Sequence, residues 1–117
     1  MTRIELLKEE VNRYLRILKA QYQPEKILLF GSLASGNVKK WSDIDLILVK
    51  DTRKSFFDRL KEIYLLLKPK AGLDVLVYTP REYEEIKKRP FFRQEIIGKS
   101  KLLYEKNNIW FSCSGRS

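Results

Sequence analysis

The chain has 117 residues, enough for one domain with its own hydrophobic core. It contains no histidine and one cysteine, which excludes histidine-based nucleophilic catalysis, an internal disulfide framework and a multi-cysteine zinc site. No apolar run approaches the roughly 18 residues of a membrane span, and charges interrupt the N-terminus. We therefore expect a cytoplasmic protein with no membrane partner.

The formal net charge is +9, from 24 Lys and Arg residues against 15 Asp and Glu residues. Such a charge attracts phosphates, whether in a nucleotide, in RNA or on an acidic partner. A basic surface without a specific ligand explains it equally well. The basic residues are spread along the chain and form no basic tail, so the composition leaves nucleic-acid binding open.

The first elements in chain order are a helix and two strands. Thr2 begins a capping-box sequence ahead of an amphipathic helix. The apolar stripe of that helix comprises Ile4, Leu7, Val11, Tyr14, Leu15 and Leu18. The run 26–30 predicts a buried strand, the polar stretch 32–42 a loop with a short helix, and the run 44–49 a second strand. Because the second strand is apolar on both faces, we expect it in the centre of its sheet.

The rest of the chain continues this alternation of helical and extended patterns. Apolar residues return to helical spacing over 55–67, and an apolar run at 73–78 predicts a third strand. Thr79 opens a capped helix, and a short helix at 91–97 and a short strand at 101–104 follow. The order predicts an α/β (α+β) fold, a small mixed sheet with helices packed against it.

Three aspartates interrupt the predicted strands. Asp43 and Asp45 are two residues apart, and side chains alternate along a strand, so both project from the same face. Asp74 lies near the start of the third predicted strand, in an equally apolar run. Asp43 and Asp74 are each compatible with a turn or strand start, whereas Asp45 is flanked by apolar strand residues. The three together indicate a site for a hard cation such as Mg²⁺. Two such ions would clamp an in-line phosphoryl transfer, with the third carboxylate free to accept a proton.

The first strand ends in Gly31-Ser32, and ten residues separate this pair from Asp43. Glycine lets a ligand approach the backbone closely, a helix N-terminus offers N–H groups to a phosphate, and Ser32 adds a hydroxyl. A Gly-Ser pair by itself is more often a simple turn, and this one is neither a Walker A sequence nor G-x-G-x-x-G. Its place ahead of the aspartates favours a nucleotide phosphate site.

This combination resembles the signature of the polymerase-β-like nucleotidyltransferase superfamily, above all the minimal nucleotidyltransferases (MNT) paired with HEPN toxins. Gly31-Ser32, ten intervening residues and Asp43-Ile44-Asp45 match the family pattern without a gap. Asp74 corresponds to the third acid of the family, in the next strand. The resemblance covers about residues 26–104 and implies a nucleotidyltransferase fold.

The resemblance also implies a role for each motif residue. Gly31 and Ser32 would hold the nucleoside triphosphate. Asp43 and Asp45 would bind Mg²⁺, with two ions admitted, and Asp74 would complete the metal site and help to deprotonate the acceptor. The implied reaction moves a nucleoside monophosphate, expected to be AMP from ATP, onto a hydroxyl and releases pyrophosphate.

A protein partner follows from the same resemblance. In related MNT proteins the acceptor is a tyrosine of the HEPN toxin, which implies an antitoxin of a type VII-like toxin–antitoxin pair. We expect residues 1–106 to form the domain and 107–117 a tail, which leaves the acceptor to another chain or to a homo-oligomer. Two alternatives stay open: transfer to a small molecule such as an antibiotic, and a non-catalytic antitoxin that neutralises by binding.

Four further features have a functional and a structural interpretation. The loop residues 39–41, Lys-Lys-Trp, could steer phosphate or stack a base, although a solvated loop is favoured. The basic stretch 87–93 could contact RNA or an acidic partner, although a solvated helix end is favoured. Tyr78 either lines the cleft or packs in the core. Trp110 and Phe111 in the tail suit a subunit contact or a disordered segment.

Overall fold

A computed structural model of the chain describes residues 2–106. In chain order the elements are α1 (Arg3–Ile17), a π-helical extension (Leu18–Tyr22), β1 (Lys26–Phe30), α2 (Ser32–Ser35), β2 (Ile44–Val49), α3 (Phe56–Leu67), β3 (Leu73–Tyr78), α4 (Pro80–Lys87), a π-helical segment (Phe92–Ile97) and β4 (Lys101–Glu105). The predicted tail, with Trp110, Phe111 and Cys113, lies outside the described residues.

Local sequence explains where the longer helices begin. Thr2 and Glu5 form a reciprocal capping box at α1, and Thr79 and Glu82 form another at α4. Ser55 caps α3 by accepting a hydrogen bond from the N–H of Asp58. These contacts satisfy backbone donors that a helix N-terminus leaves without partners, so the predicted helix starts agree with the structure.

The sheet has four strands in the order β3-β2-β1-β4. β1 pairs antiparallel with both β2 and β4, whereas β2 and β3 are parallel and are connected through α3. β2 therefore lies in the interior of the sheet, as its apolar faces predict. The predicted fold class, a mixed sheet with packed helices, is confirmed.

Both faces of the sheet are covered. On one face α1 and α3 pack against alternate residues of β2, and this larger core includes Leu7, Tyr14, Ile44, Leu46, Leu48, Ile63 and Leu67. On the other face a smaller core contains Leu28, Ile47, Val49 and Tyr83, with Phe92 and Tyr78 packed against it. The rings of Tyr78 and Phe92 meet edge to face with centroids 6.2 Å apart, so Tyr78 serves core packing.

The two basic surface features are solvated, as their structural interpretations predict. Trp41 is 75% exposed, with the Lys39 ammonium 5.9 Å from its ring centroid. Lys87 and Lys88 form ion pairs with Glu84 and Glu85 of the same helical stretch. Within residues 2–106 no helix combines the length and apolar character that a membrane crossing requires.

Candidate active site

Two of the three aspartates face each other across the parallel strands β2 and β3. Asp45 and Asp74 are register partners, and residues paired in this way project from the same face of a sheet. On its other side Asp45 is paired with Phe30, the last residue of β1. Asp43 is exposed and lies just before β2. The register of two adjacent strands thus brings Asp45 and Asp74 together at one end of the sheet.

The electrostatics of this end show an excess of negative charge around Asp45. The pKa of Asp45 is raised to about 6, first by burial, then by the charges of Asp74 and Asp43, and by a hydrogen bond to Asp74. All three effects disfavour the charged carboxylate. A bound cation would reverse this effect, because an adjacent positive charge stabilises the ionised form.

Two glycines, which have no side chain, provide the space that the carboxylates of Asp45 and Asp43 occupy. A Cβ at Gly31 would lie 2.2 Å from Oδ2 of Asp45, and a Cβ at Gly72 would lie 2.1 Å from Oδ1 of Asp43. Gly31 also has φ +76°, a conformation that other residues rarely adopt. Nothing in the local sequence around Gly72 reveals that the Asp43 side chain will pack against it in the fold.

The Gly31-Ser32 turn connects β1 to the short helix α2. Gly31 is the residue before α2, and the backbone passes so close to Asp45 that only glycine fits. Leu33 and Ala34 are buried and fix this turn against the core, while Ser32 is partly exposed at its start. The first N–H groups of a helix have no intrahelical acceptor, so phosphate oxygens bound there would lie beside the carboxylates.

The side chains present fit a metal held jointly with a substrate. Among residues 2–106 no group of three or more His, Cys, Asp or Glu side chains is placed to hold a metal ion alone. Mg²⁺ is commonly bound by one or two carboxylates together with substrate phosphates and water. The donor set of Asp45 and Asp74, all oxygen and with mutually repelling charges, suits this arrangement. The three-carboxylate metal site stays a prediction.

A concavity lies apart from the three aspartates, none of which lines it. It measures about 590 Å³ and lies between the π-helical extension and α3, with Tyr22, Lys54 and Leu65 in its lining. Its rim carries an ion pair between Lys54 and Glu62, and its mixed charges select no ligand class. The aspartates and the Gly31-Ser32 turn, and not the presence of a cavity, therefore identify the candidate site.

Comparison with solved structures finds chains with a similar fold. A solved structure of a "putative nucleotidyltransferase" from Sulfolobus solfataricus superposes with a TM-score of 0.52 at 20% identity, covering 85% of this chain and 89% of that one. A chain of a solved toxin-antitoxin structure with AMP-PNP superposes with a TM-score of 0.53 at 17% identity, covering 80% and 72%. These likenesses concern the fold.

Sequence comparison extends the likeness to family membership. The chain is 26% identical over 113 residues to the "Putative protein adenylyltransferase MJ1305" of Methanocaldococcus jannaschii, covering 90% of this chain and 76% of the relative. Residues 12–109 match the family model described as Polymerase beta, Nucleotidyltransferase. The resemblance inferred from the Gly-Ser and Asp-x-Asp motifs is confirmed: this chain belongs to the polymerase beta nucleotidyltransferase family.

Proposed function

We propose that the chain is a Mg²⁺-dependent adenylyltransferase that moves AMP from ATP onto a tyrosine hydroxyl of a HEPN-type toxin and thereby acts as its antitoxin. The observation that carries the proposal is the pairing of Asp45 with Asp74 across β2 and β3, beside the Gly31-Ser32 turn. Carboxylate oxygens suited to a cation then lie next to backbone N–H groups suited to phosphate. A polyphosphate substrate needs both.

In the proposed reaction the acceptor hydroxyl oxygen forms a bond to the α-phosphorus of ATP. The bond from that phosphorus to the oxygen bridging the β-phosphate breaks, and pyrophosphate leaves. Asp74 accepts the proton of the hydroxyl, directly or through a water molecule. The exposure of Asp74 leaves it reachable from solvent, from which an acceptor side chain would arrive.

The other residues of the site bind and orient the nucleotide. Gly31 and Ser32 would hold triphosphate oxygens, Asp43 and Asp45 would hold Mg²⁺, and Asp74 would complete the metal site. Bound Mg²⁺ supplies the positive charge that neutralises the phosphates and the aspartates together. Asp45 remains ionised there because that positive charge offsets the repulsion from its neighbours.

The choice of AMP and of a protein acceptor is supported by the relatives. One relative is named a protein adenylyltransferase, and one similar fold belongs to a toxin-antitoxin structure that holds AMP-PNP. The formal charge of +9 favours approach of both an anionic nucleotide and an acidic partner surface. The proposal therefore takes ATP as donor and a toxin chain as acceptor.

The direct test is transfer of label from ATP to the partner. The purified chain is incubated with Mg²⁺, α-labelled ATP and a cognate HEPN-type protein, and the product is mapped by mass spectrometry. We expect label and one AMP mass on a tyrosine of the partner, and no label from γ-labelled ATP. Parallel reactions with GTP, CTP and UTP establish nucleotide preference. A partner that stays unlabelled and binds no better than a control protein contradicts the proposal.

Matched variants separate the proposed function from its alternatives. Asp45→Asn should lower transfer by roughly 1,000-fold, whereas Asp51→Asn, the same change just beyond the far end of β2, should retain it. An antitoxin that works by contact alone would still neutralise the toxin after Asp45→Asn. A small-molecule transferase would adenylylate an aminoglycoside in the absence of any protein partner. Either result would replace the proposed function.

A further inference from the structure

Two helix-borne side chains hold the peptide groups that precede Asp43 and Asp74. Nη2 of Arg3, at the start of α1, donates a hydrogen bond of 2.8 Å to the carbonyl oxygen of Ser42. The hydroxyl of Tyr64, on α3, donates to the carbonyl oxygen of Leu73. Each acceptor belongs to the residue directly before an aspartate. The same arrangement thus occurs twice, from two different helices.

Holding these carbonyl groups restrains the aspartates themselves. The peptide unit is planar, so fixing the carbonyl oxygen of one residue also fixes the Cα of the next. The two segments are joined to each other by the N–H of Ile44, which donates to Gly72 at 2.9 Å. Ser42 is itself buried, and its hydroxyl accepts a bond of 2.8 Å from the N–H of Lys39.

The hydrogen bonds to these carbonyl groups oppose the electrostatic repulsion among the aspartates. Asp45 carries the repulsion of both Asp43 and Asp74. Like charges that face each other tend to separate unless the backbone beneath them is held. Tyr64 is close enough to this charge for its pKa to be raised, first by burial and then by Asp74.

We propose that Arg3 and Tyr64 are positioning residues that set the spacing of Asp43 and Asp74 for a Mg²⁺–nucleotide complex. The inference rests on the proposed function, because it assigns these carboxylates to metal binding. Neither side chain touches the reacting atoms. Arg3 and Tyr64 act through the backbone, and their loss should weaken the metal site without removing a ligand.

The test measures metal binding separately from activity. The variants Arg3→Gln and Tyr64→Phe of this chain are compared with wild type by Mn²⁺ titration in the presence of a non-hydrolysable ATP analogue. Arg16→Gln removes an exposed arginine of the same helix, and Tyr104→Phe removes a hydroxyl on the distant strand β4. These two variants are the matched controls. The Mg²⁺ dependence of transfer is measured on the same proteins.

We expect Arg3→Gln and Tyr64→Phe to bind Mn²⁺ about 10-fold more weakly, the low end of the effect of outer partners of metal ligands. The Mg²⁺ concentration for half-maximal transfer should rise similarly, with kcat restored at saturating Mg²⁺. Arg3→Lys keeps a charged donor and should recover much of the affinity. The controls should match wild type.

Other outcomes overturn the inference and identify what failed. Unchanged Mn²⁺ affinity in both variants, with wild type active, overturns the positioning role and leaves the proposed function intact. A lower melting temperature and lower kcat with unchanged metal dependence indicates a purely structural role and also overturns it. A wild-type chain that neither binds Mn²⁺ nor transfers AMP overturns the proposed function, and the inference with it.

Discussion

Two carboxylates with limited solvent access, Glu10 and Asp45, have opposite surroundings. The side chain of Glu10 is 9% exposed and accepts hydrogen bonds from Nε and Nη2 of Arg13, the Tyr14 hydroxyl and the N–H of Lys70. Asp45 is partly buried and faces two other aspartates. One carboxylate is surrounded by donors, and the other by like charge.

The pKa values record this difference. The pKa of Glu10 is lowered to about 2, chiefly by its hydrogen bonds to Arg13, despite the opposing effect of burial. The pKa of Asp45 is raised to about 6, chiefly by burial and by Asp74. Glu10 therefore ties α1 to the segment after α3, whereas the ionised carboxylate of Asp45 costs stability. A carboxylate whose charge the protein leaves uncompensated is a candidate for ligand binding.

The largest expected effect separates the two carboxylates by activity. Asp45→Asn should lower AMP transfer by roughly 1,000-fold, since a direct ligand contributes more than the 10–100-fold of outer partners. Glu10→Gln, the matched loss of one carboxylate, should retain most of the activity at a temperature where it is folded. Initial rates with labelled ATP and saturating Mg²⁺ measure both. If both variants lost the same fraction of activity, Asp45 and Glu10 would not differ in function.

The next effect probes the space around Asp45. Gly31→Ala should destabilise the fold by about 3 kcal/mol, from backbone strain together with the overlap of its Cβ with Oδ2 of Asp45. Gly36 also has a positive φ, +84°, but a Cβ there would meet nothing within 4 Å. We therefore expect Gly36→Ala to destabilise the fold by about 1 kcal/mol. Urea unfolding measures the difference. Equal costs would show that Asp45 moves aside freely.

A smaller effect, on stability, tests the hydrogen bonds between Glu10 and Arg13. Glu10→Gln should lower the free energy of unfolding by about 2 kcal/mol at pH 7, because Arg13 loses its charged acceptor. In wild type the contribution of Glu10 is present above its ordinary pKa of 4.5 and is lost as the pH falls towards 2. Urea unfolding at a series of pH values checks both. A variant that follows the wild-type acid profile contradicts this assignment.

The smallest effect has the opposite sign. Because the folded-state pKa of Asp45 is raised from 3.8 to about 6, the fold loses stability as the pH rises through that window. Asp45→Asn should therefore stabilise the chain by about 1 kcal/mol at pH 7, after allowance for solvent screening of a partly exposed group. The gain should vanish near pH 4. If Asp45→Asn and wild type were equally stable at pH 7, the charge of Asp45 would not be repelled measurably by Asp43 and Asp74 in the folded chain.

Much of the fold was predictable from local pattern. The capping boxes at Thr2 and Thr79 and the apolar runs of the strands identify the elements, because helix starts and strand burial depend on neighbouring residues. The position of β2 inside the sheet follows from its apolar faces. The π-helical geometry at 18–22 and 92–97 was not predictable, since it depends on how each helix end packs.

The sequence by itself determined the motif and hence the family, because the spacing of Gly31-Ser32 and Asp43-x-Asp45 is a property of the chain. Only the tertiary structure decided that Asp45 faces Asp74, since strand register depends on contacts between distant segments. It also decided that Gly72 makes room for Asp43, and that Arg3 and Tyr64 hold the backbone beneath the aspartates. These contacts join residues far apart in sequence, and no local pattern encodes them.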